Sequence, residues 1–153
     1  MPSLVLRLAL GGVLAVAGWL KITDVDAAVR AVRAYRLLPE ALVPAVGIGL
    51  PALEIGLAVL LVTGLATRFA AVATAALGLV FAAAVASAWA RGLQIECGCF
   101  GGGGFTANPV PGYVRELLID TALVAGGAWL ALRPAGRYSL DGALRPRITG
   151  DLT

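Results

Sequence analysis

The feature that most limits the fold of this chain is a long stretch without any charge. Residues 69–90 contain no Asp, Glu, Lys or Arg, and three more apolar runs cover 4–20, 41–66 and 113–132. A helix needs about 20 mostly apolar residues to cross the hydrocarbon core of a bilayer. The runs are continuous rather than alternating in polarity, so they predict membrane-spanning helices instead of the strands of a barrel.

The composition excludes an ordinary soluble domain. Of the 153 residues, 59% are hydrophobic and 14% are charged, and the mean hydropathy is +0.90. Soluble domains carry about 25% charged residues, and a soluble protein this apolar would expose patches that aggregate. The absence of histidine removes the commonest general base and metal ligand. The net charge of +3 comes mostly from arginines scattered between the apolar runs, and we expect no nucleic-acid partner.

These patterns predict an all-α integral membrane protein, with a four-helix bundle within residues 4–132. The predicted spans are approximately 4–22, 42–64, 69–90 and 113–132. A polar tail rich in Arg, Gly and Pro follows at 133–153, and we expect little fixed structure there. The alternative for the first run is a signal peptide with a cleavage site at Ala15-Val16-Ala17. It is less favoured because the stretch has almost no basic residues before its apolar part and three further spans follow.

The segment between the first two spans, residues 23–38, has helical period. One face is apolar and the other is charged: Val25, Ala28, Val29, Val32 and Tyr35 against Asp26, Arg30 and Arg33. Thr23 with Asp26 resembles a capping box at the start of the helix. The pattern predicts an amphipathic helix lying in the membrane interface. A solvated linker helix remains the alternative.

The orientation follows from cysteine chemistry more than from charge. Lysine and arginine residues divide almost evenly between the two sides of a four-span protein, so the positive-inside rule does not decide. A close dithiol in a polar loop is most useful where disulfides persist, outside the cytoplasm. We therefore predict a multi-pass plasma-membrane protein with cytoplasmic termini and an extracytoplasmic loop that carries Cys97 and Cys99.

The stretch with the clearest chemistry is Cys97-Gly98-Cys99, followed by Phe100 and the glycines at 101–104. Two thiols one residue apart can form a small-ring disulfide, and an exposed or strained disulfide exchanges readily. The glycines predict a mobile loop that a partner protein can approach. A cation such as Arg91 or Arg115 would lower a thiol pKa. The alternatives are two buried thiols without a role, or a metal shared with a partner, since two sulfurs supply only half of a tetrahedral set.

Ionisable side chains inside the predicted spans form a second group of candidates, because such residues are costly in a bilayer. They are Arg7, Lys21, Glu54, Arg115, Glu116 and Asp120. The first span carries a stripe whose glycines allow close helix contact: Arg7, Gly11, Leu14, Gly18 and Lys21. We expect Lys21 and Arg115 to neutralise the carboxylates within the bundle. A structural ion-pair network is the favoured interpretation, and a proton path or a quinone pocket under the cysteines is the alternative.

Four segments of the chain resemble one known family. The block Cys97-Gly98-Cys99-Phe100-Gly101 follows the third span and is similar to the family's signature. The other three segments are similar to its first span, first loop and second span: Arg7 with Gly18-Trp19-Leu20-Lys21, Tyr35-Arg36-Leu37-Leu38-Pro39, and Pro51-Ala52-Leu53-Glu54. Over residues 4–132 the chain thus resembles the MauE family of methylamine utilisation membrane proteins, which is related to the DoxX-like membrane proteins.

The resemblance implies a four-helix membrane bundle that takes part in maturing an extracytoplasmic enzyme, typically the disulfide-rich small subunit of methylamine dehydrogenase. It also implies a thioredoxin-like partner, such as MauD, and a redox pair formed by Cys97 and Cys99. Lys21 and Glu54 would be family positions without an assigned role.

The leading hypothesis is therefore thiol–disulfide exchange through a mixed disulfide with the partner. One alternative is a non-enzymatic scaffold with a static disulfide. Another is a small-solute transporter that uses Glu54 and Asp120 as a proton relay, which would require a homo-oligomer because four spans are few. Quinone is the candidate cofactor. Since the chain has one cysteine pair, electrons reach a quinone only if it meets Cys97 and Cys99 directly.

Overall fold

Five helices, α1 to α5, make up the described part of the chain. The computed structural model describes residues 2–133, so the predicted polar tail lies outside it from residue 134 onward. The helices are α1 at Pro2–Thr23, α2 at Val25–Ala34, α3 at Val43–Thr63, α4 at Thr67–Ala90 and α5 at Val110–Leu132. Within 2–133 the only β pairing is a pair of isolated bridges, so the all-helical class is confirmed.

Three of the helices, α1, α3 and α4, are long and apolar enough to cross a membrane. Their outward faces expose large apolar side chains such as Val5, Phe69 and Val80, which suits contact with lipid tails. Helix α5 is of similar length but carries three charged residues in its first half, Arg115, Glu116 and Asp120. Three apolar spans support the membrane prediction, while a fourth span through α5 remains a prediction.

Helix α2 is shorter than the predicted segment and begins differently. Its N-cap is Asp24, whose carboxylate accepts a hydrogen bond from Ala27 N at 2.9 Å. The predicted capping box at Thr23 is wrong, because the Thr23 hydroxyl instead donates to Leu20 O at the end of α1. The buried residues of α2 are the small ones, Ala27, Ala28 and Ala31, which lets α2 pack closely against its neighbours. Its position in the membrane interface remains a prediction.

Helices α1 and α3 form a close antiparallel pair. Every residue of the predicted stripe on α1 is buried. A Cβ added at Gly11 would lie 3.3 Å from Ala58 O, and one at Gly18 would lie 3.0 Å from Pro51 O. Lipid offers little hydrophobic drive for helix association, so small residues that let backbones approach stabilise such contacts.

Helices α4 and α5 form a second antiparallel pair, in which glycines again let the two backbones approach closely. A Cβ at Gly127 of α5 would lie 2.7 Å from Ala71 O of α4, and one at Gly78 would lie 3.0 Å from Asp120 O. Smaller contacts of α3 with α4 and of α1 with α5 join the two pairs. Their shared core is leucine-rich and includes Leu14, Leu57, Leu61, Leu77 and Leu123.

Candidate functional site

The cysteine loop, residues 91–109 between α4 and α5, folds back on itself. Glu96 N donates to Gly104 O at 2.9 Å, and Thr106 N donates to Gln94 O at 3.1 Å. These cross-loop hydrogen bonds tie the base of the loop together. The loop therefore has a folded, hairpin-like base, and its mobility remains a prediction.

Two glycines let the cysteine loop rest directly on α2. Gly98 has a φ of 72°, and a Cβ there would lie 2.4 Å from Ala31 Cβ. Gly103 has a φ of 119°, and a Cβ there would lie 2.7 Å from Ala27 O. The N–H of Gly103 also donates to the Glu96 carboxylate at 3.2 Å. The glycines thus serve close packing against the alanine face of α2.

Cys97 and Cys99 are both free thiols, and they are only 8% and 9% exposed. They pack against side chains of α4 and α5 that include Val85 and Tyr113. The Tyr35 hydroxyl donates to Cys97 O at 3.0 Å, which ties the end of α2 to the motif. The thiols are therefore enclosed by protein on the side that faces the bundle.

The thiols are held in their protonated form at neutral pH. Burial, and then the nearby charge of Glu116, raise the pKa of Cys97 to about 11. Burial and Glu116 also hold the pKa of Cys99 well above its ordinary value. The expected lowering of a thiol pKa by a nearby cation is present at Arg115, but it does not decide the direction of the shift. Arg115 does act to lower the pKa of Cys97, but burial outweighs it and Arg115 is paired with Glu116 at 2.9 Å.

The two candidate cations, Arg91 and Arg115, and the motif residues Phe100 and Gly101 hold the cysteine loop in place. Arg91 caps the end of α4 and donates to Tyr35 O at 2.5 Å. The Arg115 guanidinium lies 5.9 Å from the centre of the Phe100 ring, a cation–π distance. Gly101 has a φ of 88°, a backbone angle that glycine adopts without strain. These contacts join the loop to both flanking helices and to α2.

Beneath the thiols lies a cluster of buried charged groups, which we call the acid cluster: Lys21, Glu54, Glu116 and Asp120. Lys21 Nζ lies 2.5 Å from Glu54 Oε1, and both side chains are almost wholly buried. The expected neutralisation by Lys21 is thus confirmed, with Glu54 as the partner. Lys21, Glu116 and Asp120 are also close enough to act electrostatically on Cys99.

Three carboxylate oxygens of the acid cluster have spare hydrogen-bonding capacity. Within residues 2–133, Glu54 Oε2, Glu116 Oε2 and Asp120 Oδ2 have no hydrogen-bond partner. Buried polar atoms are nearly always bonded, and a buried exception is typical of a catalytic site or a strained one. The acid cluster therefore contains acceptors that its ion pairs do not satisfy.

Arg7, the remaining charged candidate, belongs to the opposite end of the bundle. Its Nε donates to Leu61 O at 2.8 Å and its guanidinium also donates to Val62 O at 3.1 Å. These are carbonyls of the last turn of α3, which ends at the left-handed Gly64. Arg7 caps a helix C-terminus and takes no part in the acid cluster.

An apolar cavity of about 220 Å³ lies between α2, α3 and α4 and reaches the cysteine loop. Both Cys97 and Cys99 line it, and among residues 2–133 Lys21 is the one charged residue on its wall. The remaining lining residues are almost all apolar and include Leu38, Leu50, Val80, Phe81 and Ala84. Leu50, Val80, Phe81 and Ala84 belong to ordinary apolar runs of the sequence, and only the packing of the helices brings them together as the wall of a cavity.

A polar groove of about 380 Å³ lies on the other side of the motif. Its lining includes Glu96, Cys97, Asn108 and Arg115 together with glycines of the loop. Cys97 thus lines both the groove and the apolar cavity, whereas Cys99 lines the cavity alone. No group of three or more Cys, Asp or Glu side chains within residues 2–133 is placed to hold a metal ion.

Comparison with known proteins gives two matches. The model of the family described as methylamine utilisation protein MauE matches residues 1–133. A protein of Paracoccus denitrificans named methylamine utilization protein MauE is 45% identical over 147 residues, which cover 95% of this chain and 75% of the relative. No solved structure matches the chain.

Proposed function

The chain belongs to the MauE family of methylamine utilisation proteins, and from this premise we propose that it is a membrane thiol–disulfide exchange protein. Cys97 and Cys99 exchange a disulfide with a thioredoxin-like partner during the maturation of an extracytoplasmic enzyme of the methylamine-utilisation type. The observation that carries the proposal is the position of Cys97, which lines a polar groove while its neighbour Cys99 lies behind it.

In both directions of the exchange, one dithiol is oxidised to a disulfide while one disulfide is reduced to a dithiol. In one direction the partner's dithiol reduces the Cys97–Cys99 disulfide, and in the other the Cys97–Cys99 dithiol reduces a partner disulfide. Each direction passes through one mixed disulfide, which the second thiol of the attacking pair resolves. Since Cys97 lines the groove, we assign the mixed disulfide to Cys97 in both directions. Cys99 resolves it when the Cys97–Cys99 dithiol attacks, and the partner's second thiol resolves it when the partner attacks.

The groove suits a protein partner better than a small solute. Much of its wall is glycine, including Gly98, Gly101 and Gly102, so a partner's backbone can come close to Cys97. Arg115 and Glu96 at its edge offer charged groups for orientation. An attacking thiol must lose its proton, and the high pKa of Cys97 means that partner docking has to supply a base or a more polar environment.

We further propose that the cysteine loop faces the extracytoplasmic side and the termini face the cytoplasm, in the plasma membrane. The antiparallel packing of α5 on α4 supports a fourth crossing, because it buries Glu116 and Asp120 against protein instead of lipid. Disulfides persist on the oxidising side, which supports that location for a dithiol.

Trapping tests the exchange. In the Cys99→Ser variant the mixed disulfide on Cys97 cannot be resolved, so a covalent adduct with the partner accumulates and survives non-reducing electrophoresis. The Cys97→Ser variant is the matched control and traps much less, because Cys99 does not line the groove. The double variant traps nothing.

Two results would contradict the proposal. One is the absence of an adduct from both single variants in cells that mature the enzyme. The other is normal enzyme maturation in cells that carry only the double variant.

A further inference from the structure

The apolar cavity sits where a lipid-soluble molecule could meet both thiols at once. Its wall includes Cys97, Cys99 and Lys21, and most of its other lining residues are apolar. It is almost without polar surface, so water gains little by filling it. A polar substrate from the aqueous phase would lose its hydration there without compensation.

The rim of the cavity is open towards the apolar exterior of the bundle. Leu37, Leu38 and Val80 line the cavity, and each also exposes a large part of its side chain. Val80 lies within α4, one of the three apolar spans. An entrance bordered by exposed apolar residues within a membrane span admits molecules dissolved in the lipid.

The size of the cavity selects a ring rather than a whole lipid. An apolar cavity of about 150 Å³ holds a benzene molecule. The volume of about 220 Å³ here is large enough for a substituted ring and too small for a larger amphiphile, whose tail would extend through the rim into the bilayer.

We propose that the apolar cavity binds the head group of a lipid-soluble quinone, which takes electrons from the Cys97–Cys99 dithiol. A dithiol that becomes a disulfide loses two electrons and two protons, and a quinone that becomes a quinol gains the same number. The inference rests on the proposed exchange function and adds the acceptor that renews the disulfide for each new partner.

The step is balanced as follows. The two S–H bonds of Cys97 and Cys99 break and one S–S bond forms between them. The electron pair and the two protons pass to the quinone, whose two carbonyl oxygens become hydroxyl groups. The spare carboxylate oxygens of Glu116 and Asp120, close to Cys99, provide a route by which a thiol proton leaves before it reaches the ring.

Quinone reduction by the purified full-length chain tests the proposal. The reduced protein in lipid nanodiscs is mixed with a decyl-substituted benzoquinone, and the quinone absorbance and the free thiols are followed together. We expect one quinone reduced for every two thiols lost. The Cys97→Ser/Cys99→Ser double variant reduces none.

A matched pair of variants on α4 locates the reaction. Ala84 lines the cavity, whereas Ala83 is exposed and does not line it. Ala84→Phe fills the cavity and raises the quinone concentration needed for half-maximal rate by about tenfold or more. Ala83→Phe leaves it unchanged. Val80→Trp at the rim and Leu79→Trp, also exposed but outside the lining, form a second pair in case Ala84→Phe disturbs the fold.

The two proposals fail separately. If the Cys99→Ser variant traps its partner but the wild-type protein does not reduce the quinone, the quinone inference is overturned and the exchange function stands. The same holds if Ala84→Phe and Val80→Trp both reduce the quinone as fast as their controls, since the reaction would then occur outside the cavity. If no partner is trapped while the quinone is reduced through the cavity, the exchange function fails.

Discussion

The buried charged groups at the two ends of the bundle differ in their hydrogen bonding. At the end near Arg7, the guanidinium donates to backbone carbonyls of Leu61 and Val62 at the end of α3. At the cysteine end, the acid cluster leaves three carboxylate oxygens without a hydrogen-bond partner among residues 2–133. Both ends place ionisable groups where a membrane protein least tolerates them. Within residues 2–133, the carboxylate oxygens without a hydrogen-bond partner all belong to the acid cluster, whose Glu116 and Asp120 lie close to the thiols.

The two ends therefore differ in how far their buried charged groups are satisfied by hydrogen bonds. Arg7 satisfies carbonyls that a helix end would otherwise leave open, which is a capping function. In the acid cluster Lys21 pairs with Glu54 and Arg115 pairs with Glu116, yet three carboxylate oxygens within residues 2–133 have no hydrogen-bond partner. We infer that a charged residue in a membrane span marks a functional site when its surroundings leave it unsatisfied, and marks stability when they do not.

The largest expected effect comes from breaking the Lys21–Glu54 pair. Lys21→Met leaves the Glu54 carboxylate buried without its cation and lowers the free energy of unfolding by about 3–5 kcal/mol. Adding Glu54→Met restores most of that loss, because no buried charge is then left unpaired. Resistance to denaturation in detergent micelles measures both.

Arg7→Met is the comparison at the other end of the bundle. It lowers the free energy of unfolding but leaves the rate of cysteine labelling unchanged. If Arg7→Met altered the rate of cysteine labelling, the distinction between the two ends would be lost.

The second effect concerns the packing of the cysteine loop on α2. Gly98→Ala forces a left-handed backbone angle on alanine and pushes its Cβ into Ala31, at a cost of about 2–4 kcal/mol. The loop then leaves α2, and Cys97 and Cys99 are labelled faster by a water-soluble maleimide. Gly104→Ala is the control, since its Cβ would meet nothing within 4 Å. Equal labelling of the two variants would show that the loop does not depend on this contact.

The third effect is a pH dependence that only the cysteine end can show. With the pKa of Cys97 at about 11, its reactive thiolate fraction increases about tenfold per pH unit and keeps rising to near pH 11. The neighbouring groups Tyr35, Arg115, Glu116 and Asp120 all contribute to this value. In the Cys99→Ser variant we therefore expect the labelling rate to rise beyond pH 9.

An exposed cysteine provides the reference for that profile. Gly104→Cys, in a chain whose two native cysteines are serine, places a thiol at an exposed position of the same loop. Its labelling rate levels off near pH 9, since an unperturbed cysteine has a pKa of about 8.5. If the two profiles coincide, Cys97 is not buried as described.

The smallest effect comes from a single charge in the acid cluster. Asp120→Asn keeps the shape of the side chain and removes a negative charge that raises the pKa of Cys99. Stability changes by less than about 1 kcal/mol, because Asp120 Oδ2 has no hydrogen-bond partner to lose. In the Cys97→Ser variant, labelling of Cys99 at pH 8 becomes about three- to tenfold faster. Slower labelling would mean that Asp120 acts as a proton acceptor more than as an opposing charge.

The sequence by itself determined the elements and the faces that pack. Long apolar runs predicted the helices, with bounds within three residues of those observed. The helical period placed Arg7, Gly11, Leu14, Gly18 and Lys21 on one buried stripe of α1. Glu116 and Asp120, which are four residues apart in the sequence, also lie on one buried face of α5. Such features depend on neighbours three or four residues away, which a sequence displays directly.

The tertiary structure alone decided which groups meet. Three carboxylates were possible partners of Lys21 from the sequence. The antiparallel packing of α1 against α3 places Glu54 beside it. The cysteine motif suggested an exposed, reactive pair, but packing of the loop against α2, α4 and α5 buried both thiols and raised the pKa of each. The apolar cavity exists only where α2, α3, α4 and the loop come together. The burial and pKa of a group and the shape of a cavity depend on contacts between segments that are far apart in the chain. A local sequence pattern does not show which segments will be in contact.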